Sequence, residues 1–186
     1  MRVGSRIRAG CLALLVGVIV TPWAAPPKAA SEPEIEAEVQ ATLGEFFHKV
    51  GSAHELANRA VAILVFPTVV KAGFGIGGEY GKGALHIRGQ APGYYNIISG
   101  SIGFQLGAQA RSVIIMFMTE QALAQFQATD GWKVGIDGSI TVIAIGIGGA
   151  IDTNSITSPI VGFIFDRKGL MYNLTLEGSK ISRIYR

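Results

Sequence analysis

Glycine at every second position in one segment constrains this fold more than any other feature of the sequence. Gly73, Gly75 and Gly77 follow a short apolar run at residues 61–66 that is rich in strand-forming residues. Because the side chains of a strand alternate between two faces, these glycines share one face. We therefore expect a strand with one face of bare main chain, which another element or a ligand can approach closely. Pro67 predicts that the apolar strand ends at a bend.

The composition is typical of a glycine-rich sheet protein and not of a disordered chain. Of the 186 residues, 49% are hydrophobic, 16% are charged and 25 are glycine. The formal charge is +3, but four basic residues and no acidic residue precede Ser31. The remainder carries 12 basic and 13 acidic residues. This balance is well short of a nucleic-acid-binding signature, so we expect no nucleic acid partner.

Residues 1–30 have the pattern of a secretory signal. Arginines come first, an apolar run follows at residues 11–20, and small residues and prolines complete the segment. The run is shorter than the roughly 20 apolar residues that a membrane span needs. We expect an exported protein, whether periplasmic, envelope-associated or secreted, with one domain over residues 31–186. The only cysteine, Cys11, lies in this leader, and its acylation as a lipoprotein is an alternative interpretation.

Two helices are predicted at residues 31–60. An apolar stripe at spacings of three and four predicts the first helix, laid on a sheet, with glutamates on its other face. The stripe consists of Ile35, Val39, Leu43, Phe46 and Val50. Gly51 ends this helix. Ser52 and Glu55 then predict a capping box for a second short helix at residues 53–58.

The rest of the domain, residues 61–186, is predicted to be mainly strands. Residues 113–118 are apolar on both faces, which indicates a strand covered on both sides. Thr119 is a candidate N-cap for a helix at residues 120–128. Further strands are predicted at residues 94–106, 140–147, 160–165 and 170–176, the last two joined by a turn at 166–169. The expected fold class is α+β, with a curved or barrel-like, mainly antiparallel, glycine-rich sheet on which the N-terminal helices and one internal helix pack.

The sequence contains no recognisable catalytic, metal or nucleotide-binding constellation. The GxGxGG string at residues 73–78 has period two and no helix behind it, unlike a dinucleotide fingerprint. His48, His54 and His86 lack metal-ligand spacing. We therefore expect no enzyme activity, no cofactor, no metal and no bound nucleotide.

Basic residues lie on both sides of the glycine segment. Lys71, Lys82 and Arg88 flank it, and a second group lies towards the C-terminus. That group consists of Arg167, Lys168, Lys180, Arg183 and Arg186. Basic residues near a flat surface attract anionic lipid head groups, by about 1 kcal/mol each. The alternative is an ordinary solvated surface.

Several motifs in the same order along the chain resemble the SYLF domain, and the resemblance extends from about Leu43 to Ile184. The motifs are AILVFPTVVKAGFGIGGEYGKGAL from Ala62, GYYN from Gly93, GFQLGAQ from Gly103, FMTEQAL from Phe117, GWKVGID from Gly131 and GLMYNLTLEGSKI from Gly169. This family includes eukaryotic actin-patch and endocytic proteins and exported bacterial proteins. The resemblance implies a non-enzymatic domain that binds phosphoinositides or other anionic phospholipids.

One feature departs from the eukaryotic pattern. In those members membrane contact is attributed to a basic amphipathic helix before the domain, whereas the corresponding helix here is rich in glutamate. The basic residues that end this helix or follow it most closely in the sequence are the candidates for lipid binding: Lys49, Arg59, Lys71 and Lys82, and then Arg88. An alternative function, from another class, is a cell-envelope scaffold or protein-interaction module whose glycine face docks an envelope protein without any dependence on lipid.

Overall fold

The computed structural model describes residues 31–145, 157–165 and 176–185, apart from the side chains of 72–76 and 101–108. These residues form three helices and a six-stranded, mostly antiparallel sheet that curls on itself, which confirms the expected α+β class. The predicted leader, the turn at 166–169 and most of the strand at 170–176 lie outside the described residues. None of the described helices is both long enough and apolar enough to span a bilayer.

The three helices lie where the periodicity predicts them. They are α1 (Glu32–Lys49), α2 (Ala53–Arg59) and α3 (Glu120–Ala128). The Ser31 N–H donates to Glu34 Oε2 at 2.6 Å, and this bond lowers the pKa of Glu34. Thr119 is the N-cap of α3, since its side chain accepts a hydrogen bond from the Ala122 N–H. The capping box predicted for α2 is wrong, because Ser52 makes no side-chain capping bond.

Two long strands dominate the sheet. The strands are β1 (Ala62–Ile87), β2 (Gly93–Phe117), β3 (Trp132–Lys133), β4 (Thr141–Ala144), β5 (Ile160–Phe165) and β6 (Lys180–Arg183). Strand β2 pairs with β1 along almost its whole length, with β5 near its end and with β6 near its start. Strand β3 pairs with β6 in antiparallel orientation, and β4 pairs with β5 in parallel orientation. The strand predicted at 140–147 is also expected to be buried; in its described part, β4 covers Thr141–Ala144 and its side chains are exposed or half-buried.

The sequence predicts that the strand ends at Pro67, but β1 continues through this residue. The register with β2 shifts between Phe66 and Val69, so that two residues of β1 are accommodated in a bulge opposite Ser112. The Ser112 hydroxyl donates to the Pro67 carbonyl at 2.7 Å. A bulge accepts proline because it removes the residue from the ladder. The strand therefore continues through the proline with a local bend.

The β1–β2 hairpin folds back over itself. A Cβ atom on Gly81 would lie 2.9 Å from the Thr68 carbonyl oxygen, and one on Gly83 would collide with the Val65 carbonyl oxygen. Residues 65 and 83 would be about 60 Å apart in a straight strand. The two halves of β1 therefore cross at main-chain contact, and only glycine leaves room for this crossing.

Two hydrophobic cores lie on opposite sides of the sheet. Near the end of β2, Val113, Ile115 and Phe117 pack into one core with residues of α3 and Trp132. The alternate residues Ile114 and Met116 pack into the other, beneath α1 and α2. This alternation confirms the prediction that the apolar strand is covered on both faces.

Candidate functional site

Lys71, the basic residue beside the first glycine group, belongs to a buried ion cluster. Its Nζ lies 3.5 Å from Oε1 of Glu79, and the Arg111 guanidinium bonds the other carboxylate oxygen. Glu79 and Arg111 are buried, whereas the Lys71 side chain is about one-quarter exposed. Burial lowers the pKa of Arg111, and the Glu79 carboxylate opposes that shift. The cluster holds two cations and one anion.

The ion cluster also shows where β1 bends back on itself. Lys71 and Glu79 are eight residues apart on one strand, a separation of about 26 Å if the strand were straight. Their charged atoms nevertheless lie 3.5 Å apart. The strand therefore turns back between them, in the segment that contains Gly73, Gly75 and Gly77.

The three alternating glycines lie in a strand, as predicted. Gly73, Gly75 and Gly77 pair with Gly107, Gly103 and Ser101 of β2. The side chains of residues 72–76 lie outside the described part of the structure. A ligand or partner at this bare face therefore stays a prediction. The close main-chain contact that is described occurs at Gly81 and Gly83, farther along the same strand, and the element that makes it is β1 itself.

The other basic candidates are not brought together into one site. Lys49 ends α1, pairs with Glu45 at 2.9 Å and lies over the Phe165 ring. Arg59 is exposed in the last turn of α2, and Arg88 is exposed in the turn after β1. Lys82 lies in the last third of β1. The four residues thus lie on different elements, and Lys82 lies one row from Lys180 on the sheet.

Four strands place a row of exposed side chains opposite one another. Tyr80 pairs with Ile98, Ile98 with Lys180, and Lys180 with Lys133. Because adjacent strands are about 4.8 Å apart, the row is roughly 14 Å long. Tyr80 and Ile98 are 46% and 47% exposed, and both lysines are exposed. An aromatic, an aliphatic and two cationic side chains thus form one continuous strip.

This strip lies on the side of the sheet that faces away from the first core. Ile97, Trp132 and Ile181, the neighbours of Ile98, Lys133 and Lys180 along their strands, are 1% exposed and point into that core. The next row contains Lys82, opposite Asn96, which pairs with Ser182. We call the surface formed by Tyr80, Lys82, Ile98, Lys133 and Lys180 the lysine face.

The lysine face is built at some cost to stability. Lys133 and Lys180 lie directly opposite, and like charges in that position are destabilising. A Cβ atom on Gly131 would collide with Lys180 Cε, so this glycine leaves room for the lysine side chain. Two acidic residues lie at this end of the face: Asp137 Oδ2 accepts from the Lys133 N–H at 2.7 Å, and Glu177 lies beside Gly135.

The sequence identifies Lys82 and Lys180 as basic residues of interest but does not place them on one face. The missing information was the pairing of β6 with β2, which joins residues more than 80 positions apart. One signal was available, since Lys180 and Ser182 alternate with the apolar Ile181. That alternation predicts a half-exposed strand, although it does not identify the neighbouring strand.

The histidines serve structural contacts. His54 stacks on Phe47 with ring centroids 4.2 Å apart, and His86 Nε2 lies 3.1 Å from Glu36 Oε2. No cluster of three or more His, Cys, Asp or Glu side chains suited to a metal ion occurs within residues 31–145, 157–165 and 176–185. The side chains of the lysine face present ammonium groups beside exposed apolar groups.

A family model matches the second half of the chain. The model of the family described as Ysc84, Las17-binding protein actin regulator, matches residues 98–184. No curated protein matches the chain. The matched segment begins within β2 and contains Ile98, Lys133 and Lys180 of the lysine face. Residues 98–184 are thus similar to the Ysc84/SYLF domain family, and this match supports the resemblance drawn from the sequence motifs.

Proposed function

We propose that this protein is an exported, non-enzymatic lipid-binding protein that associates with anionic phospholipid membranes through the lysine face. The observation that carries this proposal is the strip of Tyr80, Ile98, Lys180 and Lys133 on four adjacent strands. A membrane interface offers phosphates to lysine and an apolar boundary to tyrosine and isoleucine, and the strip offers both kinds of side chain together.

The expected preference for anionic lipid follows from the number of lysines. Each lysine near an anionic surface contributes about 1 kcal/mol. Lys82, Lys133 and Lys180 together would contribute about 3 kcal/mol, which corresponds to on the order of a hundredfold difference between anionic and neutral vesicles. The interaction should weaken as salt is added, since it acts between exposed charges.

The acidic α1 is not the membrane-binding element in this proposal. Ile35, Val39 and Phe46 are buried in the second core, and the exposed surface of α1 carries glutamates. An anionic surface would repel that helix. The lysine face takes the role that a basic amphipathic helix is thought to have in the eukaryotic members.

The matching family is described by Las17 binding and actin regulation. We do not extend the actin role to this chain, because the leader expected at residues 1–30 would deliver the domain away from cytoplasmic actin. Association with a lipid surface requires no cytoplasmic partner, and phospholipid is available on either side of an exporting membrane.

Vesicle co-sedimentation with matched charge reversals tests the proposal. The test variant is Lys82→Glu with Lys133→Glu, and the control is Arg59→Glu with Arg88→Glu, which changes the net charge equally on other surfaces. We expect the test variant to bind phosphatidylglycerol-containing vesicles at least about thirtyfold more weakly, and the control to bind nearly as the parent does.

Two results would contradict the proposal. The first is equal recovery of the parent with neutral and anionic vesicles at low salt. The second is an equal loss in both double variants, which would show a response to net charge and no dedicated surface. A protein partner recovered without lipid, together with either result, would favour the scaffold function instead.

A further inference from the structure

A stiff loop with an exposed isoleucine at its tip lies at the β3 edge of the lysine face. It runs from Lys133 to Gly138, and its tip residue, Ile136, is 74% exposed. Of the described aliphatic side chains this is the most exposed. Ile136 is also three residues from Lys133, a member of the lysine face.

Main-chain hydrogen bonds hold the loop in a fixed shape. The Gly135 N–H donates to the Gly138 carbonyl at 2.9 Å, and the N–H groups of Ile136 and Asp137 both donate to the Lys133 carbonyl. Gly135 has φ +85°, a conformation that favours glycine. The loop is therefore shaped by its own backbone, and no partner is needed to order it.

The body of the domain supports the same loop from below. A Cβ atom on Gly138 would lie 2.6 Å from the buried Trp132 ring, so the loop packs directly on that ring. The Gln125 side chain of α3 donates to the Asp137 carbonyl at 2.8 Å. Val134 exchanges main-chain bonds with residues 178 and 179 beside β6. These contacts, made with Trp132 and α3 on the first-core side, fix the tip at the β3 edge of the sheet, where the lysine face ends.

We propose that Ile136 inserts into the membrane as a shallow apolar anchor while the lysines of the neighbouring face contact the phosphates. This inference rests on the function proposed above and adds the orientation of binding, with the β3 edge deepest. A rigid tip gains the free energy of burying its side chain without losing loop entropy on binding.

The charges around the tip limit how far it can enter. Lys133 and Lys180 lie on the lysine-face side, whereas Asp137 and Glu177 lie beside the loop. Carboxylates are unfavourable inside the hydrocarbon region. Insertion should therefore stop at the boundary between head groups and acyl chains, where a single side chain can be buried while its neighbours remain in contact with water.

A fluorescent probe at the tip tests the depth directly. Cys11 is the only native cysteine, so the full chain with Cys11→Ser and Ile136→Cys can carry one NBD label at the tip. With phosphatidylcholine vesicles containing one-third phosphatidylglycerol, we expect a blue shift and protection from iodide quenching. The same label at Gln90→Cys, in the exposed β1–β2 turn, should stay in water.

A truncation pair tests the contribution to affinity without a label. Ile136→Ser should weaken binding to the same vesicles about tenfold, because one aliphatic side chain no longer leaves water. Val70→Ser is the matched control, since Val70 is an exposed aliphatic residue of β1 outside the lysine face. It should leave binding unchanged, and both variants should keep the parent's stability.

The possible results separate this inference from the function on which it rests. Normal vesicle binding with the tip label in water, or with Ile136→Ser equal to Val70→Ser, overturns the anchor and leaves the lysine face in place. Absence of binding to anionic vesicles by the unlabelled parent overturns both proposals. A blue shift at Gln90 equal to that at the tip also overturns the proposed orientation.

Discussion

Substitution of Gly83 by alanine tests whether the two halves of β1 cross in main-chain contact. The measured quantity is the loss in free energy of unfolding caused by the added methyl group. The added methyl would collide with the Val65 carbonyl oxygen and would lie 2.7 Å from Cδ1 of Phe66. The nearest atoms belong to main chain held in the ladder with β2, so the strand itself must move. Overpacking of this kind costs about 1 to 3 kcal/mol, and we expect the upper end of that range.

Other glycines of the same hairpin provide a graded series of controls. At Gly81 the nearest atoms are 2.9 Å away, and alanine there should cost about 1 to 2 kcal/mol. At Gly78 the nearest atom is 3.7 Å away, and at Gly100 no atom lies within 4 Å. Alanine at these two positions should be neutral, or stabilising by about 0.5 kcal/mol, because it reduces the freedom of the unfolded chain.

Urea unfolding followed by tryptophan fluorescence would give the four values. With a urea m-value of about 2 kcal/mol per molar, a loss of about 3 kcal/mol lowers the midpoint by about 1.5 M. The order Gly83, Gly81, then Gly78 with Gly100 is the diagnostic result. If Gly83→Ala and Gly100→Ala had equal midpoints, the crossing would not be in main-chain contact and the reasoning would be refuted.

Two further predictions concern the ion cluster and a buried tyrosine. Glu79→Gln should lower the free energy of unfolding by about 3 to 5 kcal/mol, because it leaves the buried Arg111 without its carboxylate; a loss below about 1 kcal/mol in the same urea assay would contradict this. Burial raises the pKa of Tyr95 above 10.0, against the opposing effect of Arg183. Its contribution to stability is therefore complete below pH 10 and is lost as the pH rises through the higher folded-state pKa. Unfolding midpoints measured between pH 9 and 11 should fall less steeply in Tyr95→Phe, and identical slopes would refute this assignment.

Local patterns in the sequence predicted the elements whose cause is local. The apolar stripe that contains Ile35, Val39 and Phe46 correctly predicted α1, because a helix that packs on a sheet needs one apolar face. The run from 113 to 117 gave a strand covered on both sides, because both alternating sets of side chains are apolar. The order of helices and strands then limited the fold to a curled sheet with packed helices.

Features that depend on distant pairing could not be predicted in the same way. Pro67 looked like the end of a strand because the bulge opposite Ser112 is visible only once the register with β2 is known. The partners of Lys71 in the ion cluster depend on the fold-back of β1, which brings Glu79 to it. Lys180 lies beside Lys133 because β6 pairs with β3, and beside Ile98 because β6 pairs with β2. The β2–β6 pairing joins residues more than 80 positions apart in the sequence.

The glycine pattern shows both the value and the limit of reasoning from periodicity. Alternation correctly predicts an extended strand at Gly73, Gly75 and Gly77. It cannot say which glycines of a long strand will meet another chain segment, because that depends on where the strand crosses itself. The described contacts identify Gly81 and Gly83, which belong to the same run of alternate residues as Gly77.

The long hairpin has a consequence for any attempt to isolate residues 98–184, the segment that matches the family model. A fragment that starts at residue 98 would keep most of β2 but lose β1, which supplies its partner along nearly the whole length. One edge of β2 would then present unpaired amide and carbonyl groups beside valine, isoleucine and phenylalanine side chains. Exposed edges of that kind recruit other chains, so such a fragment should precipitate or assemble into aggregates unless residues 62–87 are supplied as a complementing peptide.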